Sequence, residues 1–232
     1  MTTRSLYIAS TQGSGGKTTV AVGLCLVLAA RGYKVGYFKP VGALAQRSDG
    51  VLVDEDATFV AEFLELEDEL TDICPVILEE DALHGVLSGG EVDTMSCVKA
   101  AYDRIAADKD IVVCEGLGEV WQGRFLKVGG VEVVNELDLR ALLLAKFAGA
   151  RLLDDIISVK DALKKHLLGV LFTMVPESRL SMVQDEYVNF LNKNDYSFFF
   201  TGRQIFSCDD YSLAEIFPFT HKFSSVLCIL LV

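Results

Sequence analysis

The chain has 232 residues, 51% of them hydrophobic, and a formal net charge of -12. This length and apolar content fit one domain built around a covered sheet and exclude a disordered chain. The acidic balance argues against nucleic acid and anionic membrane surfaces as partners, because their phosphates would be repelled everywhere except at a local cationic site.

The first apolar run, Leu6-Tyr7-Ile8-Ala9, reads as a strand and empties into Ser10-Thr11-Gln12-Gly13-Ser14-Gly15-Gly16-Lys17-Thr18. A strand, a glycine-rich turn ending Gly-Lys-Thr and a following helix form a phosphate cradle. Small residues let backbone N–H groups approach the oxygens, the helix offers its positive end, Lys17 reaches the β/γ-phosphates and the Thr18 hydroxyl ligates Mg²⁺. The usual spacing of this motif asks for glycine at position 11, where the chain has Thr11.

From Thr18 to Arg31 the positions Val20, Leu24, Val27 and Leu28 share one helical face, and Gly32 ends the helix. Lys34 to Phe38 is the next strand. Pro40 forces Lys39 into extended backbone, so the lysine leaves from the strand's carboxyl end. Gly42 to Asp54 reads as an irregular loop, and Asp56 to Leu66 as a helix with carboxylates in its first turn. Asp93 or Thr94 caps a helix running to about Ala107. Asp110 to Cys114 is a nearly unbroken apolar strand ending in Glu115-Gly116-Leu117-Gly118, the pattern of a strand buried on both faces of a parallel sheet.

Further alternation follows: a strand at Ala141–Ala145, a helix around Asp154–Lys165, a strand at Leu168–Met174 and a helix around Ser181–Leu191. The whole predicts an α/β fold, a doubly wound, mostly parallel sheet in a three-layer sandwich, with residues 1–232 forming a single nucleotide-binding domain. Residues 203–232 are poorly readable, although Phe198-Phe199-Phe200 and Val226 to Val232 have strand composition. The closing run is too short to span a bilayer, and the N-terminus lacks the pattern of a secretory leader. With six cysteines and no C-x-x-C pair, the expectation is reduced, structural thiols and a cytoplasmic location.

Lys17, Lys39 and Glu115 leave the carboxyl ends of three different strands, which is where ligands sit in such sheets. Glu115 is placed to hold Mg²⁺, or else is an ordinary strand-end carboxylate. Asp56 is a second metal candidate, or a residue placed for the helix dipole. Lys39 neutralises an anionic group, or is a solvated surface lysine. His84, His166 and His221 lack ligand spacing and read as surface or capping residues, Cys114 as packing, and Trp121 as either a ligand cover or core.

Leu6 to Val41 resembles the dethiobiotin synthetase family. That family groups with the ATPase domain of cobyrinic acid a,c-diamide synthase and the N-terminal domain of phosphate acetyltransferases. The similarity continues through Asp54-Glu55-Asp56-Ala57 and Val113-Cys114-Glu115-Gly116 and, more loosely, from Asp138 to Leu191, where the phosphate acetyltransferase branch fits best. The resemblance implies that Gly13, Ser14, Gly15, Gly16, Lys17 and Thr18 wrap the phosphates of ATP, with Thr11, Thr19 and Thr173 as further nucleotide-binding positions. Thr18, Asp56 and Glu115 share Mg²⁺. Lys17 and Lys39 act catalytically, Lys39 between the γ-phosphate and an acidic group of an unidentified small-molecule substrate.

The activity implied is Mg²⁺-dependent phosphoryl transfer from ATP to a carboxylate or carbamate ahead of C–N bond formation, in a homodimer. The alternative is a nucleotide-sensing regulatory module of the phosphate acetyltransferase type. A partitioning-type ATPase is disfavoured, because Thr11 stands where such proteins carry an additional lysine. The chain departs from the family at Ser10, where the loop would open with glycine. It departs again at Thr173, which replaces the adenine-reading asparagine, and at Gly42-Ala43-Leu44, which lacks the serine of dethiobiotin synthetases.

Overall fold

The computed structural model describes residues 4–13, 15–48, 50–78, 84–85, 87–88, 93–194 and the backbone of 199–201. Ser14, His221 and the sequence readings beyond residue 201 lie outside the described residues.

Strand β1 (Arg4–Ser10) lies inside a six-stranded sheet with β2 (Val35–Phe38), β7 (Ile111–Glu115), β8 (Arg140–Lys146), β9 (Leu167–Thr173) and β10 (Phe199–Thr201). The order across the sheet is β10-β9-β8-β1-β7-β2, and every pairing is parallel. The apolar runs explain why. All of β7 is buried, and β8 is buried from Ala141 to Ala145, so both faces need cover. Cover comes from α1 (Lys17–Ala29), α4 (Thr94–Ala106), α5 (Gly130–Glu136) and α6 (Arg151–Leu163), whose buried positions recur at helical spacing.

The connections set the site. From β1 the chain moves out to β2, returns to β7 beside β1, then crosses to β8 on the opposite flank. The direction of winding reverses at β1, and the crevice for a ligand opens at the carboxyl ends of the strands there. The doubly wound parallel sheet of the sequence reading is therefore the fold.

Several local readings are corrected. Residues 42–54, read as irregular, hold β3 (Val41–Gly42) and an antiparallel hairpin of β4 (Ala45–Ser48) and β5 (Val51–Asp54). Polar side chains in β4 hide the strand signal, and Gly50, just before β5, takes the positive φ of +83 that a tight hairpin connection asks for. β3 pairs in parallel with β6 (Val76–Ile77), which follows the short helix α3 (Leu70–Ile73). Helix α2 runs Glu55–Phe63 behind an Asp54 cap, and α6 begins at Arg151, ahead of Asp154. β9 ends at Thr173, because Met174 turns away with φ +54. The helical stretch from Leu180 to Lys193 contains a π-turn at Val183–Tyr187. His166 is not a surface residue; it is buried, with Nδ1 2.9 Å from the Leu139 carbonyl oxygen. No helix among the described residues is long and apolar enough to cross a membrane.

The thiols offer a test of this packing. Cys25, Cys74 and Cys114 are free and buried, whereas Cys97 is free and exposed. Burial pushes the Cys25 thiol up to about 12, so little reactive thiolate exists at pH 8. Iodoacetamide at pH 8 should label the Cys97 peptide of the native protein while the peptides of Cys25, Cys74 and Cys114 stay unlabelled until denaturant is added, as read by peptide mass spectrometry. Labelling of native Cys114 at the Cys97 rate would contradict the packing.

Candidate nucleotide site

The turn after β1 is shaped by what it must not contain. A Cβ on Gly15 would lie 2.7 Å from the Ser10 hydroxyl oxygen, and Gly16 sits at φ +85. Gly16 is also the N-cap of α1, where no side chain caps the helix and no acidic residue occupies the first turn. The first N–H groups and the positive end of a thirteen-residue helix thus face the turn without a side-chain acceptor.

Lys17, 7% exposed, donates through Nζ to the Gly118 carbonyl at 2.6 Å. Burial lowers its pKa below the ordinary lysine value, with Glu115 opposing and Lys39 reinforcing that shift. Thr18 Oγ1 donates to Glu115 Oε1 at 2.6 Å, and the Tyr37 hydroxyl donates to Oε2 at 2.7 Å. Glu115 itself is 2% exposed. Burial raises its pKa above the ordinary carboxylate value, against the charges of Lys39 and Lys17 and the hydrogen bonds of Thr18 and Tyr37. Gly116 after it is required by space, since a Cβ there would meet the Tyr7 hydroxyl at 2.7 Å.

On the β2 side, Lys39 is buried and bridges two carboxylates, donating to Asp54 Oδ1 at 2.6 Å and to Asp56 Oδ2 at 2.9 Å. Asp54 has no exposed surface. Its Oδ1 also accepts the Ala57 N–H at 3.0 Å as the cap of α2, and Oδ2 accepts the Leu44 N–H at 3.0 Å. Burial alone would lower the Lys39 pKa. The hydrogen bond to Asp54, with Glu115 and Asp56, outweighs burial and holds it above the ordinary value.

One cleft of about 480 Å³ is lined by Gly15, Gly16, Lys17, Thr18, Thr19, Lys39, Asp56 and Glu115, together with Gly118, Gln122 and Met174 among others. Eight of the residues picked out from sequence therefore share one wall system. Gly13 instead lines an adjoining hollow with Glu119, Trp121 and Gln122. Trp121 is packed against the core, with the Arg124 guanidinium 5.6 Å from its ring centre. Thr11 and Thr173 are buried at the ends of β1 and β9 and do not line the cleft. Neither hydroxyl has a hydrogen-bond partner among the described residues.

Sequence reasoning passed over Asp54, Tyr37, Gln122 and Met174. Only Asp54 carried a signal, as an acid three residues before the Ala57 N–H that it caps. The donor set of Thr18, Asp56 and Glu115 is oxygen throughout, which suits a hard cation that keeps some of its water and phosphate ligands, and so fits Mg²⁺. No group of three or more His, Cys, Asp or Glu side chains among the described residues could hold a metal ion. The Mg²⁺ reading therefore rests on a hydroxyl and two carboxylates with help from phosphate.

A glycine turn between the central strand of a parallel sheet and an uncapped helix, with Lys and Thr opening that helix, defines the class of P-loop nucleotide-binding proteins. The family model of the AAA domain matches residues 4–220, and the chain belongs to this family of P-loop ATPase domains. It is 32% identical over 117 residues to an ATP-dependent dethiobiotin synthetase of Caldicellulosiruptor saccharolyticus, covering 50% of this chain and 48% of that protein. It is 28% identical over 142 residues to a phosphate acetyltransferase of Pseudomonas aeruginosa, covering 61% of this chain and 19% of that protein. A Halobacterium salinarum protein named probable cobyric acid synthase is 28% identical over 180 residues, which covers 65% of this chain and 33% of that protein. The match spans about half the length of four of the dethiobiotin synthetases, 48% in two and 49% in two, and 80% of one from Methanococcus vannielii.

The Asp54 clamp makes a sharp demand on Gly42. A Cβ there would fall 2.4 Å from Asp54 Oδ2 and 2.6 Å from its Cβ and Cγ. Gly42→Ala should cost about 1–3 kcal/mol of stability by overpacking, measured as a lower urea midpoint at unchanged slope. A variant as stable as wild type would show that the carboxylate does not occupy that space.

Proposed function

We propose that the cleft binds ATP with Mg²⁺ and transfers its γ-phosphoryl group to an oxygen of a small carboxylate or carbamate, which an amine then attacks. The observation that carries this reading is the pair of buried ammonium groups, Lys17 and Lys39, lining one cleft with the Glu115 carboxylate. Lys17 already makes one charge-assisted hydrogen bond to a carbonyl, and a phosphate oxygen is the stronger acceptor it would exchange that carbonyl for. Thr18, Asp56 and Glu115 would hold Mg²⁺, which supplies neutralisation of the triphosphate charge. Lys39 is held by Asp54, so it can lose Asp56 without losing its place.

In the transfer the acceptor oxygen forms a bond to the γ-phosphorus, and the β–γ bridging oxygen leaves with the electron pair as part of ADP. The amine then adds to the activated carbonyl carbon, and inorganic phosphate departs. Lys17 and Lys39 would stabilise the charge on the transferring group, which is the main contribution open to a protein in such a loose transition state. A homodimer in the cytoplasm belongs to the same reading.

A second reading is suggested by the phosphate acetyltransferase similarity, which covers 61% of this chain. Under it the cleft senses ATP and does not turn it over.

Calorimetric titration of ATP with excess Mg²⁺ is expected to show binding to wild type and a loss of about 30-fold or more in Lys17→Ala. Equal affinities would contradict both readings. Phosphate release measured across panels of dicarboxylates and diamines then divides them, since stimulation by one panel member supports the synthetase and binding without stimulation supports the sensor.

A further inference from the structure

Gln122 is shared by two hollows. It lines the cleft with Lys17, Thr18 and Glu115, and it lines the adjoining hollow of about 410 Å³ with Gly13, Glu119 and Trp121. Among the described residues that line the cleft it is the one carboxamide. The phosphoryl transfer proposed above gives it nothing to do.

Its place is fixed by the chain around it. The Val120 N–H donates to the Ser10 carbonyl at 2.9 Å, which fastens the segment after β7 to the end of β1, just ahead of the phosphate turn. The Gln122 N–H donates to the Glu119 carbonyl at 2.9 Å, and the side chain lies back against Gly118. The approach is close. A Cβ on Gly118 would fall 1.9 Å from Gln122 Oε1, so glycine is what leaves room for the amide. The carbonyl of that same Gly118 accepts the Lys17 Nζ at 2.6 Å. Lys17 is the group that meets the β/γ-phosphates. The Gln122 amide therefore sits one residue's width from the place the γ-phosphoryl group takes when it replaces that carbonyl.

Resting on the ATP reading above, we infer that Gln122 positions a water molecule for attack on the γ-phosphorus, which gives the cleft a second activity: hydrolysis of ATP when no acceptor is bound. A carboxamide presents an acceptor oxygen and a donor NH₂ in one plane. The oxygen accepts a hydrogen bond from the water while the NH₂ donates to a γ-phosphate oxygen, so one side chain aligns nucleophile and target. Being neutral, it does so without repelling the triphosphate, as the Glu119 carboxylate on the same turn would. Glu115 is not free for the task, since Thr18 and Tyr37 occupy its two oxygens. In the step the water oxygen forms a bond to the γ-phosphorus, and the β–γ bridging oxygen leaves with the electron pair as part of ADP. One water proton stays on the released phosphate and the other passes to solvent.

The test incubates wild type, Gln122→Ala and Gln122→Met with ATP and Mg²⁺ in heavy-oxygen water, with no acceptor or amine added. It follows phosphate release, the isotope in that phosphate and, by calorimetry, ATP affinity. Wild type is expected to release phosphate carrying one oxygen from the water, whereas transfer to an acceptor would leave the acceptor's oxygen there. Gln122→Ala should lower kcat by about 10- to 100-fold, with KM and ATP affinity within about threefold of wild type. Gln122→Met fills the same space without polar atoms and should be as slow as Gln122→Ala. An unchanged rate in Gln122→Ala, a rate restored in Gln122→Met, affinity falling as far as the rate, unlabelled phosphate, or wild type that binds ATP and releases no phosphate overturns the inference and leaves the ATP reading standing. Wild type that does not bind ATP overturns both.

Discussion

A carboxylate buried at the end of an apolar strand is the constraint around which this site is organised. Glu115 follows four fully apolar, buried residues of β7 and is itself 2% exposed. An isolated charge in such a place carries a penalty of several kcal/mol, so it must be hydrogen-bonded and compensated by opposite charge. Both conditions are met. Thr18 from the first turn of α1 and Tyr37 from β2 occupy its two oxygens, and the charges of Lys39 and Lys17 act on it. One side chain thereby ties together the three neighbouring strands β1, β7 and β2, through the helix that follows the first of them. Under the proposed ATP reading, Glu115 and the Thr18 hydroxyl are the oxygen donors that a cation beside the triphosphate would use.

Asp54 does the same work at the Lys39 end. The β4–β5 hairpin brings it back beside β3, where Gly42 leaves room for it. There it caps α2 and holds Lys39 at once. Asp56, on the first turn of α2, therefore owes its position to the carboxylate that positions its lysine partner. The two acids differ in kind: Asp54 is sealed from solvent, whereas the Asp56 side chain is 42% exposed. Asp54 is suited to be permanent structure, and Asp56 to exchange its partner.

Much of this was legible in the order of residues. Uninterrupted apolar runs at Ile111–Cys114 and Ala141–Ala145 announce strands covered on both faces, and the turn ending Gly-Lys-Thr announces the phosphate cradle. Lys39 before proline and Glu115 before glycine mark two further strand ends. The hairpin was not legible, because its partially exposed strands carry Gln46, Arg47 and Ser48 where a core strand would carry valine or isoleucine. The Asp54 clamp was hidden for a different reason. Its partner lies fifteen residues away, and only the folded hairpin makes them neighbours. At β9 the sequence pattern carries the strand one residue too far. Met174 is apolar like the strand before it, and nothing in its composition reveals that the backbone turns into the left-handed region. Attention therefore falls on Thr173, and the cleft is lined by its neighbour.

The central claim is that the Gly118 carbonyl now occupied by Lys17 stands in for a phosphate oxygen, with Glu115 and Thr18 poised together for the cation that accompanies it. A crystal structure with Mg²⁺ and a non-hydrolysable ATP analogue tests this most directly. The account predicts that the Lys17 amino group moves from Gly118 to the phosphates and that Thr18 and Glu115 both turn to the metal. A nucleotide bound elsewhere, with the Lys17–Gly118 and Thr18–Glu115 hydrogen bonds intact, would contradict it.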